Sequence, residues 1–208
     1  ASFTTPANAA SVTVFHSLVG AGSLSVDEYS LKVERIFMNS AEAVSLEVSG
    51  HEIGSHTRTH VSLTSLPASE VQAEVVDSRT ELLGIGVSAV DTFSYPYGDY
   101  DAGVQSAVRT AGYASARSTV DGHNTKLTDK YALKVRQVDR TTTLADVQGW
   151  FAQAEADTTW LILMFHEIDD DPSHTLGASP VLLEDIVTHV NGTALPVVTV
   201  RDGVALMN

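Results

Sequence analysis

The chain has 208 residues, 43% of them hydrophobic, and 26 acidic against 12 basic residues give a net charge of −14; this suits one globular domain with a sizeable core. A surface this acidic repels nucleic-acid phosphates and anionic lipid headgroups, so nucleic acid is excluded as a partner and a neutral or cationic ligand is expected. No run of about 18 apolar residues is present, which excludes membrane insertion by a spanning helix, and the absence of cysteine excludes a disulfide framework while leaving the redox compartment open. Ala1 opens no basic-then-apolar pattern, so any export signal is expected to have been removed or never to have been present.

In chain order, the first β-branched run, SVTVFHSLV at 11–19, predicts a strand. GHEIGSHTRTH at 50–60 then gathers three of the chain's eight histidines, with His56 and His60 four apart, the spacing of neighbours on one helical face. LPASEVQAEVVDSRTELLG at 66–84 predicts a helix with both ends marked, Ser69 before an acidic first turn and Gly84 after the last leucines. DTFSYP (91–96) predicts a strand, DAGVQSAVRTAGY (101–113) a helix, YALKVRQV (131–138) a strand and TLADVQGWFAQAEA (143–156) a helix. WLILMFHEI (160–168) predicts a strand covered on both sides, SPVLLEDIVTHVNG (179–192) a helix between Pro180 and Gly192, and PVVTV (196–200) a last strand. Alternating strands and helices without linker or repeat predict one α/β domain, 1–208, built on a parallel sheet or barrel. In such folds chemistry collects on loops leaving the C-terminal strand ends.

Three such loops carry candidate residues. His56 and His60 together present imidazole nitrogens suited to a divalent metal, zinc first; the alternative is a helix N-terminus capped by Ser55 with two solvated histidines. In FSYPYGDYD, Pro96 and Gly98 make a stiff turn that can aim a backbone N–H at a developing oxyanion, while Tyr95, Tyr97 and Tyr100 offer stacking faces for a sugar; the alternative is a strand-ending turn with buried tyrosines. His166 ends the most hydrophobic strand, where burial would tune it as a proton donor, unless it is a satisfied core histidine.

Taken in this order, the stretches resemble the polysaccharide deacetylases of the NodB-homology type, carbohydrate esterase family 4. His56-Thr57-Arg58-Thr59-His60 resembles the HTxxH motif, FSYPYGDYD the third motif and Met164-Phe165-His166 the fifth. The resemblance implies a distorted (β/α) barrel that removes acetyl groups from an N- or O-acetylated polysaccharide, in an extracellular or cell-envelope setting. It also implies metal ligation by His56 and His60, an oxyanion contact from the Tyr97 backbone N–H, and an acid role for His166. Tyr95, Pro96, Asp99 and Tyr100 would border the substrate, and zinc is the first choice of cofactor.

Departures from the pattern are equally legible. The TFDDG motif, which in the family supplies the base and a third metal ligand, is missing: after ASFT come Thr5, Pro6, Ala7 and Asn8, and the first acidic residue is Asp27. About eight residues between ASFT and the next predicted strand are too few for a crossover helix, so the first βα unit is expected to be shortened or missing. Ser94 stands where many members carry arginine, and Asp139 is a candidate for the fourth motif's aspartate. Three explanations fit: a shortened or incompletely given chain of an active enzyme, recruitment of Asp99, Asp101 or Asp169, or a catalytically inactive carbohydrate-binding protein on the same fold.

Overall fold

Four short strands, β1 (Thr92–Ser94), β2 (Ser115–Asp121), β3 (Leu133–Gln137) and β4 (Leu163–Met164), form one sheet in the order β1-β2-β3-β4, every neighbouring pair parallel. In this computed structural model residues 38–207 are described. The predicted strand at 11–19, the ASFT segment and the shortened first βα unit lie outside them. The chain from Ser40 onward forms a unit of its own. Ser55 extends the sheet by one parallel bridge to Phe93. The result is a curled parallel half-barrel of the α/β class, in line with the barrel that the resemblance implies.

The helices are α1 (Ser40–Val48), α2 (Ala68–Gly84), α3 (Ala102–Thr110), α4 (Leu144–Asp157), α5 (Pro180–Asn191) and α6 (Val200–Leu206). Their ends follow local chemistry. The Asp101 carboxylate accepts the Val104 N–H that opens α3; Thr143 and Asp146 make a reciprocal capping box at α4; the Ser179 hydroxyl accepts the Leu182 N–H at α5. Helix α2 begins one residue before Ser69, with Pro67 as its cap, and includes Gly84. The predicted strand at 196–200 is corrected: Thr199 caps α6 by accepting the Asp202 N–H, and Val197 stands 78% exposed. A β-branched run suggested a strand, but a threonine followed three residues later by aspartate is a helix start, and the cap prevailed. Helices α1 and α6 and strand β2 were not expected.

Two helix layers explain the burial. Val71, Val75, Val104 and Val108 from α2 and α3 pack with Phe93, Tyr95, Tyr113 and Ala116 beside β1 and β2. Around β4 the alternation divides the apolar run: Ile162 and Met164 join Leu133, Val135 and Val204, whereas Leu163 and Phe165 face Val147 and Ile186 of α4 and α5. The strand covered on both sides is therefore present, although its ladder spans only Leu163–Met164. Gly203 lets α6 approach the Trp160 indole, which a Cβ there would strike.

Asn124 joins three segments. It is fully buried; its amide donates to the Lys134 carbonyl at 2.9 Å, its carbonyl accepts the Lys134 N–H at 2.9 Å, and its backbone exchanges bonds of 2.8 Å each with Trp160. Replacing it leaves a buried donor and acceptor on Lys134 unsatisfied. Asn124→Ala is expected to destabilise the protein by about 2–4 kcal/mol, read from the midpoint of urea unfolding; a midpoint within error of wild type would remove this residue from the framework.

Candidate active site

The site begins with backbone pairing. The Ser55 N–H donates to the Thr92 carbonyl at 2.9 Å and the Ser94 N–H to the Ser55 carbonyl at 2.8 Å, so residue 56 leaves the sheet beside the end of β1. There the His56 Nδ1–H donates to the Ser94 carbonyl at 2.8 Å. Because the partner is an acceptor, Nδ1 carries the proton and the Nε2 lone pair is left for another partner, the arrangement usual in metal-binding histidines. His60 stands edge-on to His56 with ring centroids 4.7 Å apart, and Tyr97 edge-on to His60 at 5.0 Å.

The helical reading of the HTRTH segment is corrected. Residues 56–60 form an irregular loop with positive φ at Thr57 (65°) and His60 (59°). Glu74 of α2 holds it: one carboxylate oxygen accepts the N–H groups of Arg58 and Thr59 at 2.9 Å each, and the other accepts the Thr59 hydroxyl at 2.7 Å. Arg58 also pairs with Glu81 at 2.8 Å. Ser55, the helix cap of the alternative reading, is instead buried in the bridge to Phe93. The two imidazoles meet because the loop closes on Glu74, and the spacing of four is incidental to a helix.

Burial holds the His56 imidazole below its ordinary pKa, only partly opposed by the Ser94 carbonyl, and the positive charges of Arg117, His60 and His166 push the same way. His56 is exposed by area, yet protein atoms packed around its ring strip solvent from the cation. The neutral form that a metal takes is thus favoured. His166 stands close enough to act on His56 but is itself exposed, two residues beyond the end of β4. That corrects the expectation of a histidine tuned by burial.

The third-motif tyrosines separate. Tyr95 is 0% exposed, its hydroxyl donates to the Tyr131 carbonyl at 3.0 Å, and its ring stacks on Tyr100 at 4.9 Å. Burial pushes its phenol well above the ordinary tyrosine pKa. Tyr95 and the buried Pro96 are core residues, not the exposed faces expected beside substrate; strand alternation continues through Phe93 and Tyr95 into the helical layer. Tyr100 is half-buried against the same core. Tyr97 is 63% exposed at φ 58°, in a turn closed by bonds from the Gly98 and Asp99 N–H groups to the Tyr95 and Pro96 carbonyls, in neither of which its own N–H takes part. Gly98 is required there, at φ 80° against Thr119.

Among the described residues no group of three His, Cys, Asp or Glu side chains stands ready to hold a metal. Asp101 caps α3, Asp139 closes a turn onto Thr141 and Thr142, and Asp169 is paired with Arg140 and His174; Asp99 is exposed after the Tyr97 turn. Sequence reasoning missed two residues of this region, Glu74 and Arg117. Glu74 carried no signal, lying inside a helical pattern. Arg117 sits on the unexpected strand β2, paired in register with Ser94.

A cavity of about 560 Å³ opens beside His56, Ser94 and Arg117 and continues past Gly54, Glu52 and Val198. Beyond His166, the loop to α5 is fastened by Arg140, which pairs with Asp169 at 2.9 Å, donates to the His174 carbonyl at 2.9 Å and also bonds the Asp171 carbonyl. His174 closes the knot on Asp169 at 2.7 Å.

Residues 22–116 match the family model described as polysaccharide deacetylase. Solved structures share the fold. A polysaccharide deacetylase from Bacillus cereus is 22% identical with a TM-score of 0.51, covering 67% of this chain and 46% of that one. The carbohydrate esterase family 4 domain of a multidomain xylanase, from the hindgut metagenome of Trinervitermes trinervoides, is 17% identical with a TM-score of 0.52, over 78% and 68%. A family 4 pseudoenzyme from Bacillus anthracis is 15% identical with a TM-score of 0.50, over 82% and 51%. The chain spans about half the length of two of these structures. No sequence among the curated proteins matches. The fold is therefore that of the carbohydrate esterase family 4 enzymes. The family match over residues 22–116 agrees with that fold.

The knot beyond His166 has a definite pH dependence. The Asp169 bond holds His174 above its ordinary 6.5, and the same bond holds the Asp169 carboxyl below its ordinary value. The histidine's contribution is complete below its unfolded pKa and lost as pH rises through the raised folded value; the carboxylate's is present above its unfolded pKa and lost as pH falls through the lowered one. Titration of the His174 imidazole by NMR is expected to give a midpoint above 6.5 that returns toward the ordinary value in Asp169→Asn. A wild-type midpoint at or below the ordinary value would show that the knot is not formed.

Proposed function

We propose that this chain is a metal-dependent hydrolase that removes acetyl groups from an N- or O-acetylated polysaccharide, acting outside the cell or in its envelope. The observation that carries the reading is the His56–His60 pair, with Nδ1 of His56 committed to Ser94 and its Nε2 free. Two imidazoles side by side fit a divalent metal, with zinc first, and leave positions open for water and substrate. When bound, the metal supplies Lewis acidity, lowering the pKa of water and polarising the acetyl carbonyl.

The remaining roles fall to the chain's own groups. The Tyr97 turn offers a backbone N–H to the oxygen that gains charge as the carbonyl is attacked, and the exposed Tyr97 ring beside His60 offers a face to a sugar. His166, open to solvent, would hand a proton to the departing amine or alcohol. Tyr100 and Asp99 flank this turn, Tyr100 through its packing on Tyr95 and Asp99 as an exposed carboxylate.

A second reading, an inactive carbohydrate-binding protein, is favoured by one feature of the sequence, the missing TFDDG motif. With that motif the family's general base is missing too, worth about 10² to 10⁴ in rate, so acetate release by this chain is expected to be slow. In the deacetylase reading, zinc titrated calorimetrically binds at one site that His56→Ala removes, and the zinc-loaded protein releases acetate from acetylated chitin or xylan oligosaccharides in a His166-dependent manner. Zinc binding unchanged in His56→Ala would defeat the metal assignment. Oligosaccharide binding without acetate release above the solvent rate would select the inactive reading.

A further inference from the structure

Arg117 is a half-buried cation in the wall of the His56 cavity. Its Cα partner across the parallel ladder is Ser94, the residue whose carbonyl fixes His56, and in-register partners in a parallel pair project from the same side of the sheet. One guanidinium nitrogen lies 3.2 Å from the Met164 sulfur, a weak acceptor, and among the described residues no carboxylate lies within ion-pair distance of it. Burial lowers its pKa, and a guanidinium stays charged inside proteins. A guanidinium in such a setting is stabilised most by a planar anion that accepts two parallel hydrogen bonds.

We infer that Arg117 is the carboxylate-binding residue of this cavity, supplying from β2 the guanidinium that the third motif lacks at Ser94. Its ligand is acetate, the product expected of the reaction proposed above, and the inference rests on that reading only for the identity of the carboxylate. Arg117 from β2 and His56 from the loop before β1 both line the cavity that would hold the anion. A charge-assisted pair of this kind is worth roughly tenfold or more in affinity. Arg117 thus acts on the carboxylate that is held and released.

The test uses the metal-free 208-residue protein and sodium acetate, titrated by calorimetry and by the NMR shift of labelled acetate. Wild type and His56→Ala are expected to bind, Arg117→Lys to retain part of the affinity, and Arg117→Met to lose it at least tenfold. Because a core-facing substitution can impair folding, a second measurement uses wild type alone: acetate should slow phenylglyoxal modification of Arg117, read by peptide mass spectrometry. Acetate affinity equal to wild type in folded Arg117→Met, or no acetate binding and no protection in the metal-free wild type, overturns the inference. Arg117-dependent acetate binding in a protein that releases no acetate from any acetylated glycan leaves the inference standing and sinks the deacetylase reading instead.

Discussion

The hydrogen bond from His56 to the Ser94 carbonyl is where strand register becomes site geometry. It forms only because the Ser55 backbone pairs in parallel with β1, which places residue 56 level with the end of the strand. The same register sets Ser94 opposite Arg117, so one backbone alignment brings an imidazole, a carbonyl and a guanidinium to one cavity wall. A shift of one residue would turn each of these side chains to the opposite face. The core beneath fixes that alignment: Phe93 and Ala116, paired in the ladder, are both buried against the helices, and slippage would expose them.

Strain is concentrated at the same place. Of the four non-glycine residues with positive φ among those described, Thr57, His60 and Tyr97 belong to the site, and each such conformation costs of the order of 1–3 kcal/mol. Three bonds from Glu74 hold the histidine loop, and the Gly98 turn packed on Thr119 holds Tyr97. Helix α2 and strand β2 are thereby more than scaffold, since they supply the contacts that keep two strained segments side by side. The His60–Tyr97 ring contact at 5.0 Å is the direct consequence.

What the sequence made legible follows the range of the interactions involved. The helices at 66–84, 101–113, 143–156 and 179–192 are specified by their own period and caps, so their positions could be read to within a few residues. Strand β2 was hidden because SARSTVD is polar over half its length and acquires its character only from its neighbours on both sides. The histidine pair was legible as a pair but not in its backbone, since a spacing of four serves a helix and a closed loop equally well. The division among Tyr95, Tyr97 and Tyr100 was not legible either: it depends on where strand alternation ends and the turn begins, which tertiary packing decides. Arg117 escaped notice because its meaning lies in a cross-strand partner 23 positions away.

Charge distribution gives the arrangement its direction. The chain carries −14 overall, yet Arg117 and His56 share one cavity wall, with His60 against His56. An arginine in the wall of a cavity within an anionic surface attracts negative charge locally, while the surroundings would repel a polyanion before it reached the cavity. The acetate left by such a reaction would meet Arg117 inside and carboxylates outside. Retention close to the guanidinium and repulsion beyond it would act in sequence, so that once acetate leaves the pocket the surface opposes its return.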